Sequence, residues 1–185
     1  MGRKRAAPKG KKINPTFWVF CEGKTEEAYI ALLRSKYRVP IEIVPKVLGN
    51  KINEHLIKRI KKERPVHEKD KDFLVYDADV PEILEKLKRI RNVTLIASNP
   101  AIELWFLLHY KNQTSNILSR ECTREISNRL RKEYKKGTIE GALEAKLLEN
   151  CQKACKRAKN LELYENPSSN MYFLIETLEE EKGEL

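Results

Sequence analysis

The 185-residue sequence predicts an α/β fold: a parallel sheet flanked by helices, followed by a helical C-terminal part. Three observations carry this. Phe17-Trp18-Val19-Phe20-Cys21 and Phe73-Leu74-Val75-Tyr76 are near-continuously apolar, the pattern of strands buried on both faces rather than of strands with one wet face. Helix-start signals and amphipathic segments follow such runs, and strands alternating with helices build parallel sheets. From about residue 112 no strand-like run appears, and charged helical segments take over.

In chain order, residues 1–13 form a basic arm expected to be disordered, 14–111 the α/β core, and 112–185 a helical extension of the same domain. Residues 16–21 are the first strand. Thr25 is a good N-cap, with Glu26 and Glu27 placed to complement the dipole of a helix reaching about Lys36. Ile41 to Val47 reads as the second strand. After the Gly49-Asn50 turn, Ile52, Leu56, Ile57 and Ile60 mark an amphipathic helix that Pro65 ends. Residues 72–76 are the third strand. Pro81 opens a helix with Ile83, Leu84, Leu87 and Ile90 on one face, and Val93 to Ala97 is the fourth strand. Ser98-Asn99-Pro100 starts a strongly apolar helix from Ala101 to His109. Residues 120–135 and 139–160 read as charged helices, and Asn166-Pro167-Ser168-Ser169 caps a last helix carrying Met171, Phe173, Leu174 and Leu178.

Composition narrows the function classes. The chain carries a formal net charge of +10, which favours a polyanionic partner such as nucleic acid. Arg3, Lys4, Arg5, Lys9, Lys11 and Lys12 supply +6 of that charge with no acid among them, so the arm is expected to track phosphates or to aid solubility. Cys21, Cys122, Cys151 and Cys155 form no CxxC pair, and His55, His67 and His109 show no spacing that would complete a zinc site. No signal peptide and no apolar run of membrane length is expected, so the chain reads as cytoplasmic, with free thiols and no membrane contact. Gly23-Lys24-Thr25 resembles the end of a phosphate-binding loop, but Trp18 stands where that pattern needs its first glycine.

The chemistry sits at the strand ends. Glu22 ends the first strand, and Asp77 and Asp79 end the third, where open α/β sheets form their sites. Close acids concentrate like charge, which a cation offsets. Hard oxygen ligands suit Mg²⁺ or Mn²⁺, so Glu22, Asp77 and Asp79 are the candidate metal ligands. Glu26 and Glu103 are candidates for a second metal position or for orienting the first, and Lys24 for holding a phosphate. Each has a structural alternative. Glu22 and Glu26 complement a helix dipole, Asp79 with Glu82 makes a capping box, and Glu103, in an apolar helix, pairs with a lysine or a backbone amide. His109 reads as a packed or capping residue.

Glu-Gly at one strand end and Asp-x-Asp at another, in a parallel frame, resemble the Toprim domain of topoisomerases, primases and OLD-type nucleases. Cys21-Glu22-Gly23-Lys24-Thr25-Glu26-Glu27-Ala28-Tyr29, Tyr76-Asp77-Ala78-Asp79 and Ser98-Asn99-Pro100-Ala101-Ile102-Glu103-Leu104-Trp105-Phe106-Leu107-Leu108-His109 resemble more closely the RloB-like (AbiLii) family, as does Asn166-Pro167-Ser168-Ser169. The resemblance covers roughly residues 16–180. It implies a Toprim-like fold, a divalent metal, and a nuclease acting on DNA or RNA in prokaryotic defence against phage and foreign DNA, with a defence-system protein as a further partner. The alternatives are a non-catalytic nucleic-acid-binding module and an interaction subunit of a defence complex.

Overall fold

A computed structural model of the chain describes residues 15–184; the basic arm over 1–13 lies outside the described residues. The architecture is a five-stranded sheet and eight helices among those residues. The strands are β1 (Phe17–Cys21), β2 (Ile41–Val44), β3 (Lys71–Asp77), β4 (Thr94–Asn99) and β5 (Ser168–Ser169), in the order β2-β1-β3-β4-β5. The first four are parallel, and β5 joins β4 antiparallel.

The apolar strand runs have a simple origin. Phe17, Val19, Cys21, Phe73 and Val75 enter one core with α1 (Lys24–Tyr37), α4 (Ile102–Leu108), α7 (Cys151–Lys159) and α8 (Met171–Glu184). The intervening Trp18, Phe20, Leu74 and Tyr76 enter a second core with α2 (Glu54–Lys61) and α3 (Pro81–Lys88). A sheet covered on both faces has no place for an alternating polar row. Within the first core, α4 is buried at every position and packs against β4 on one side and against α5 (Ser119–Leu130) and α7 on the other. That explains an amphipathic pattern too weak to see: this helix has no solvent face.

Several boundaries differ from the sequence reading. Gly23, not Thr25, is the N-cap of α1, and the Thr25 hydroxyl instead accepts the amide of Gly137 at 3.0 Å. β2 stops at Val44 because Pro45 and the left-handed Lys46 (φ 59°) break the ladder. Val80 is the N-cap of α3 and makes no side-chain cap bond, so Asp79 and Glu82 form no capping box. The segment 120–135 ends as a helix at Leu130, where Arg131 turns left-handed (φ 54°), and 139–160 is two helices, α6 (Gly141–Glu149) and α7, parted at Asn150.

Ser168 and Ser169, expected to cap the last helix, form β5. Its pairing with β4 is extended by side chains. Asn170 accepts the Ala97 amide at 2.6 Å and donates to the Leu95 carbonyl at 2.8 Å, and the Ser98 and Ser169 hydroxyls meet at 2.9 Å. Asn166 in turn holds both backbone groups of Ile117, at 3.0 and 2.9 Å. Asn170 ties the helical part to β4, and Asn166 ties two segments of the helical part to each other. Asn170 is 2 % exposed. Asn170→Ala strands an amide and a carbonyl of β4, so urea melts should show a loss of about 2–4 kcal/mol. A loss below about 0.5 kcal/mol would contradict this role of β5.

Candidate acid site

Glu22 follows the last residue of β1, and Asp77 is the last residue of β3, its neighbour in the sheet. The two carboxylates therefore share the carboxyl edge. Glu26 stands in the first turn of α1 and Glu103 in the first turn of α4. All four, with Lys24 and Lys136, line one cavity of about 290 Å³. Asp79 is exposed and does not line it, although its charge is felt at Asp77. The fold thus brings together five of the six candidates, and sets Asp79 at the periphery.

Each acid is held by specific partners. A Glu22 oxygen accepts the Gly49 amide at 3.2 Å, and Asp77 Oδ1 accepts the Ile102 amide at 3.0 Å. The Glu26 carboxyl folds back over Gly23, where an added Cβ would lie 2.5 Å from Glu26 Oε2. Glycine at 23 is what allows that approach. Glu103 is 1 % exposed. Its Oε1 accepts the Tyr134 hydroxyl at 3.3 Å, and its Oε2 lies 3.4 Å from Lys136 Nζ yet has no hydrogen-bond partner among the described residues.

Electrostatics follow from this crowding. Burial lifts the Asp77 carboxyl from its ordinary 3.8 to about 8, and the charges of Glu26, Glu103 and Asp79 add to the shift against the opposing Ile102 amide. Burial also raises Glu26, with Glu103 and Glu22 contributing. The donor set is chemically that of a hard divalent cation. Its arrangement is not a closed shell: among the described residues no three His, Cys, Asp or Glu side chains are grouped to hold a metal ion. The four carboxylates surround the cavity, and Lys136 supplies positive charge at Glu103.

Lys136, Tyr134 and Gly137 were not visible as site residues in the sequence. They lie in the strap between α5 and α6, more than a hundred residues from Glu22, and nothing local in Arg131-Lys132-Glu133-Tyr134-Lys135-Lys136-Gly137 distinguishes it from a solvated basic loop. The lysine partner considered for Glu103 is Lys136. His109 is buried at the C-terminal end of α4, where its Nδ1 meets the Trp105 carbonyl at 2.9 Å, a packed residue as expected. All four cysteines are free and buried, and no described helix is long and apolar enough to cross a membrane.

A pH dependence follows. The raised Asp77 value means that the fold holds a proton the unfolded chain has released above about 3.8. The stabilising contribution is complete below that value and is lost as pH rises through about 8. Glu26 acts in the same direction. Urea melts in EDTA should therefore show stability falling as pH rises from about 5 to about 8.5, and Asp77→Asn, which keeps an acceptor for Ile102 without the charge, should flatten that fall. An unchanged slope in the variant would contradict the assignment.

No curated protein and no solved structure matches the chain. The family model for RloB-like protein matches residues 17–178, which takes in β1 through most of α8 and every acid of the cavity. The chain belongs to the RloB-like protein family.

Proposed function

We propose that the protein is a divalent-metal-dependent nuclease of Toprim-like type, cutting DNA or RNA phosphodiesters, with a role in prokaryotic defence against phage or foreign DNA. One observation carries this reading: four carboxylates share a single cavity, and the one lysine ion-paired there, Lys136 at Glu103, leaves three of them for a cation to offset. Glu22 and Asp77 would hold Mg²⁺ or Mn²⁺, with Glu26 and Glu103 beside them and Asp79 adding negative charge nearby. When bound, the ion supplies Lewis-acid polarisation of a phosphoryl oxygen and an activated water.

The chain's own groups do the rest. The Gly49 and Ile102 amides fix the Glu22 and Asp77 carboxylates, so neither has to reorganise. Burial raises the Asp77 carboxyl to about 8, so it would have to release a proton to hold a cation, and loading of the site would be coupled to pH. Lys24, exposed at the rim, is the group for a substrate phosphate.

A specific observation favours the second reading, a non-catalytic nucleic-acid-binding module: Lys136 already pairs with Glu103, and no ready three-ligand group exists among the described residues. In that case removal of metal would leave binding unchanged and no cleavage would be seen.

DNA and RNA panels incubated in Mg²⁺ or Mn²⁺, against EDTA, separate the two. We expect metal-dependent cleavage that Glu22→Gln and Asp77→Asn reduce by two orders of magnitude or more, on the order of 3 kcal/mol of barrier. Both variants should keep or slightly gain metal-free stability, since Glu22→Gln relieves like-charge repulsion and Asp77→Asn removes the cost of burying an ionisable carboxyl. Lys136 is 57 % exposed, so Glu103→Gln strands no buried cation and should cost little stability in EDTA while activity falls. Fully active Glu22 and Asp77 variants would sink the nuclease reading.

A further inference from the structure

Beside the acid cavity, and sharing Lys24 with it, runs a second groove of about 500 Å³. Lys46 lines it from the loop after β2, Glu27 from α1, Ala28, Ala31 and Pro45 give it small, flat apolar surface, and Gly137 closes on it from the strap, so the lining carries two cations and one carboxylate. The groove is open, yet its margins are fixed. Val47, next to Lys46, donates its amide to the Cys21 carbonyl at 3.0 Å and accepts the Tyr76 hydroxyl at 2.6 Å. Lys46 is thus anchored at the carboxyl end of β1 with its side chain exposed. On the other margin, the Gly137 amide is bound by Thr25, and at φ 80° a Cβ there would lie 3.0 Å from Lys24 Cβ. Lys24 lines both the groove and the acid cavity, Lys46 the groove and Lys136 the acid cavity, so three cations border the two adjoining spaces.

The lining is as informative for what it lacks. Among the described residues, no aromatic ring lines the groove to stack a base, and beside the two lysines its one other charged or hydrogen-bonding side chain is Glu27, with no Arg, Asn or Gln to make a bidentate contact with a base edge. Single-strand tracks depend on stacking platforms, and sequence readout depends on bidentate polar groups. Ammonium groups over small apolar residues recognise phosphates, and a duplex offers phosphates on its outside with its bases already stacked. We propose that this groove carries the backbone of a nucleic-acid duplex, bound without sequence preference, and delivers one phosphate to the acid cavity through Lys46, Lys24 and Lys136. The proposal rests on the phosphodiester reading above.

A second basic patch serves as an internal control. Lys58, Lys61, Lys62 and Arg91 border a cavity of about 320 Å³ at the amino ends of β3 and β4, the opposite edge of the sheet, and Lys61 there is held by Asp72 at 2.6 Å.

The test is fluorescence anisotropy with the full chain in EDTA. The probes are two labelled duplexes of unrelated sequence and their single strands, across a salt series. Both duplexes should bind equally and more tightly than the strands. Lys46→Ala should weaken both duplexes equally, lowering the log–log salt slope by about 0.9, and Lys46→Glu should weaken them further. Lys58→Ala with Lys62→Ala should leave the slope at Lys46-intact values. Unchanged duplex binding in Lys46→Ala, a preference for one sequence, tighter single-strand binding, or loss of binding through Lys58 and Lys62 instead would each overturn the groove. Cleavage in Mn²⁺, measured on the same duplexes, keeps the two claims apart. Lys46-dependent binding without cleavage contradicts the nuclease reading alone, and cleavage with Lys46-independent binding contradicts the groove alone.

Discussion

Like-charge repulsion among carboxylates at the carboxyl edge of a doubly covered sheet is the constraint on which the rest of the molecule turns. Glu22, Glu26, Asp77 and Glu103 share one cavity, and two of them are buried. A lone carboxylate in such a place is costly, and four are more so. The fold answers with local devices rather than with full compensation. Backbone amides hold Glu22 and Asp77, Gly23 makes room for Glu26, and the strap brings Tyr134 and Lys136 to Glu103. What remains shows in the Asp77 and Glu26 carboxyls, raised first by burial and then by their acidic neighbours, and in a Glu103 oxygen that has Lys136 beside it but accepts no hydrogen bond among the described residues. Residual strain of this kind is characteristic of sites that receive a ligand.

The architecture exists to hold that edge still. Layers on both faces of the sheet fix β1 and β3, and so fix where Glu22 and Asp77 can be. Helix α4 is buried all round because α5 and α7 cover the side that the sheet does not, which is how an acid comes to sit in an apolar helix with its first turn at the sheet edge. The helical extension therefore contributes directly to the site. It closes over α4, sends the strap to α1, and pins itself to β4 through Asn170.

What was legible in the sequence is what local pattern encodes. The four parallel strands and the helices between them followed from the switch between apolar runs and helical periodicity, and Glu22 and Asp77 followed from acids placed at the ends of those runs. Glu103 stood out as one charge in Ile102–Leu108. What was not legible depends on long-range contact. Ser168-Ser169 is too short and too polar to read as a strand, and becomes one only because the β4 edge and Asn170 complete its pairing. Asp79 is as acidic in the sequence as Asp77, but after Ala78 the chain leaves the ladder and Asp79 faces solvent. Lys136 carries no local signal at all, since its meaning comes from a strap folded back over Glu103 and a site whose first acid stands more than a hundred residues earlier.

A divalent cation in this cavity is what the proposed function requires first. Titrating Mn²⁺ into the native protein while following the electron paramagnetic resonance signal of the free ion tests it without reference to any substrate. Saturable loss of the free-ion signal is expected in the native chain, strengthened as pH rises through about 8, where Asp77 ionises, and abolished in Asp77→Asn and Glu22→Gln. A full free-ion signal at every ratio of Mn²⁺ to native protein would contradict it, and would leave the acid cavity as a structural feature balanced by Lys136 alone.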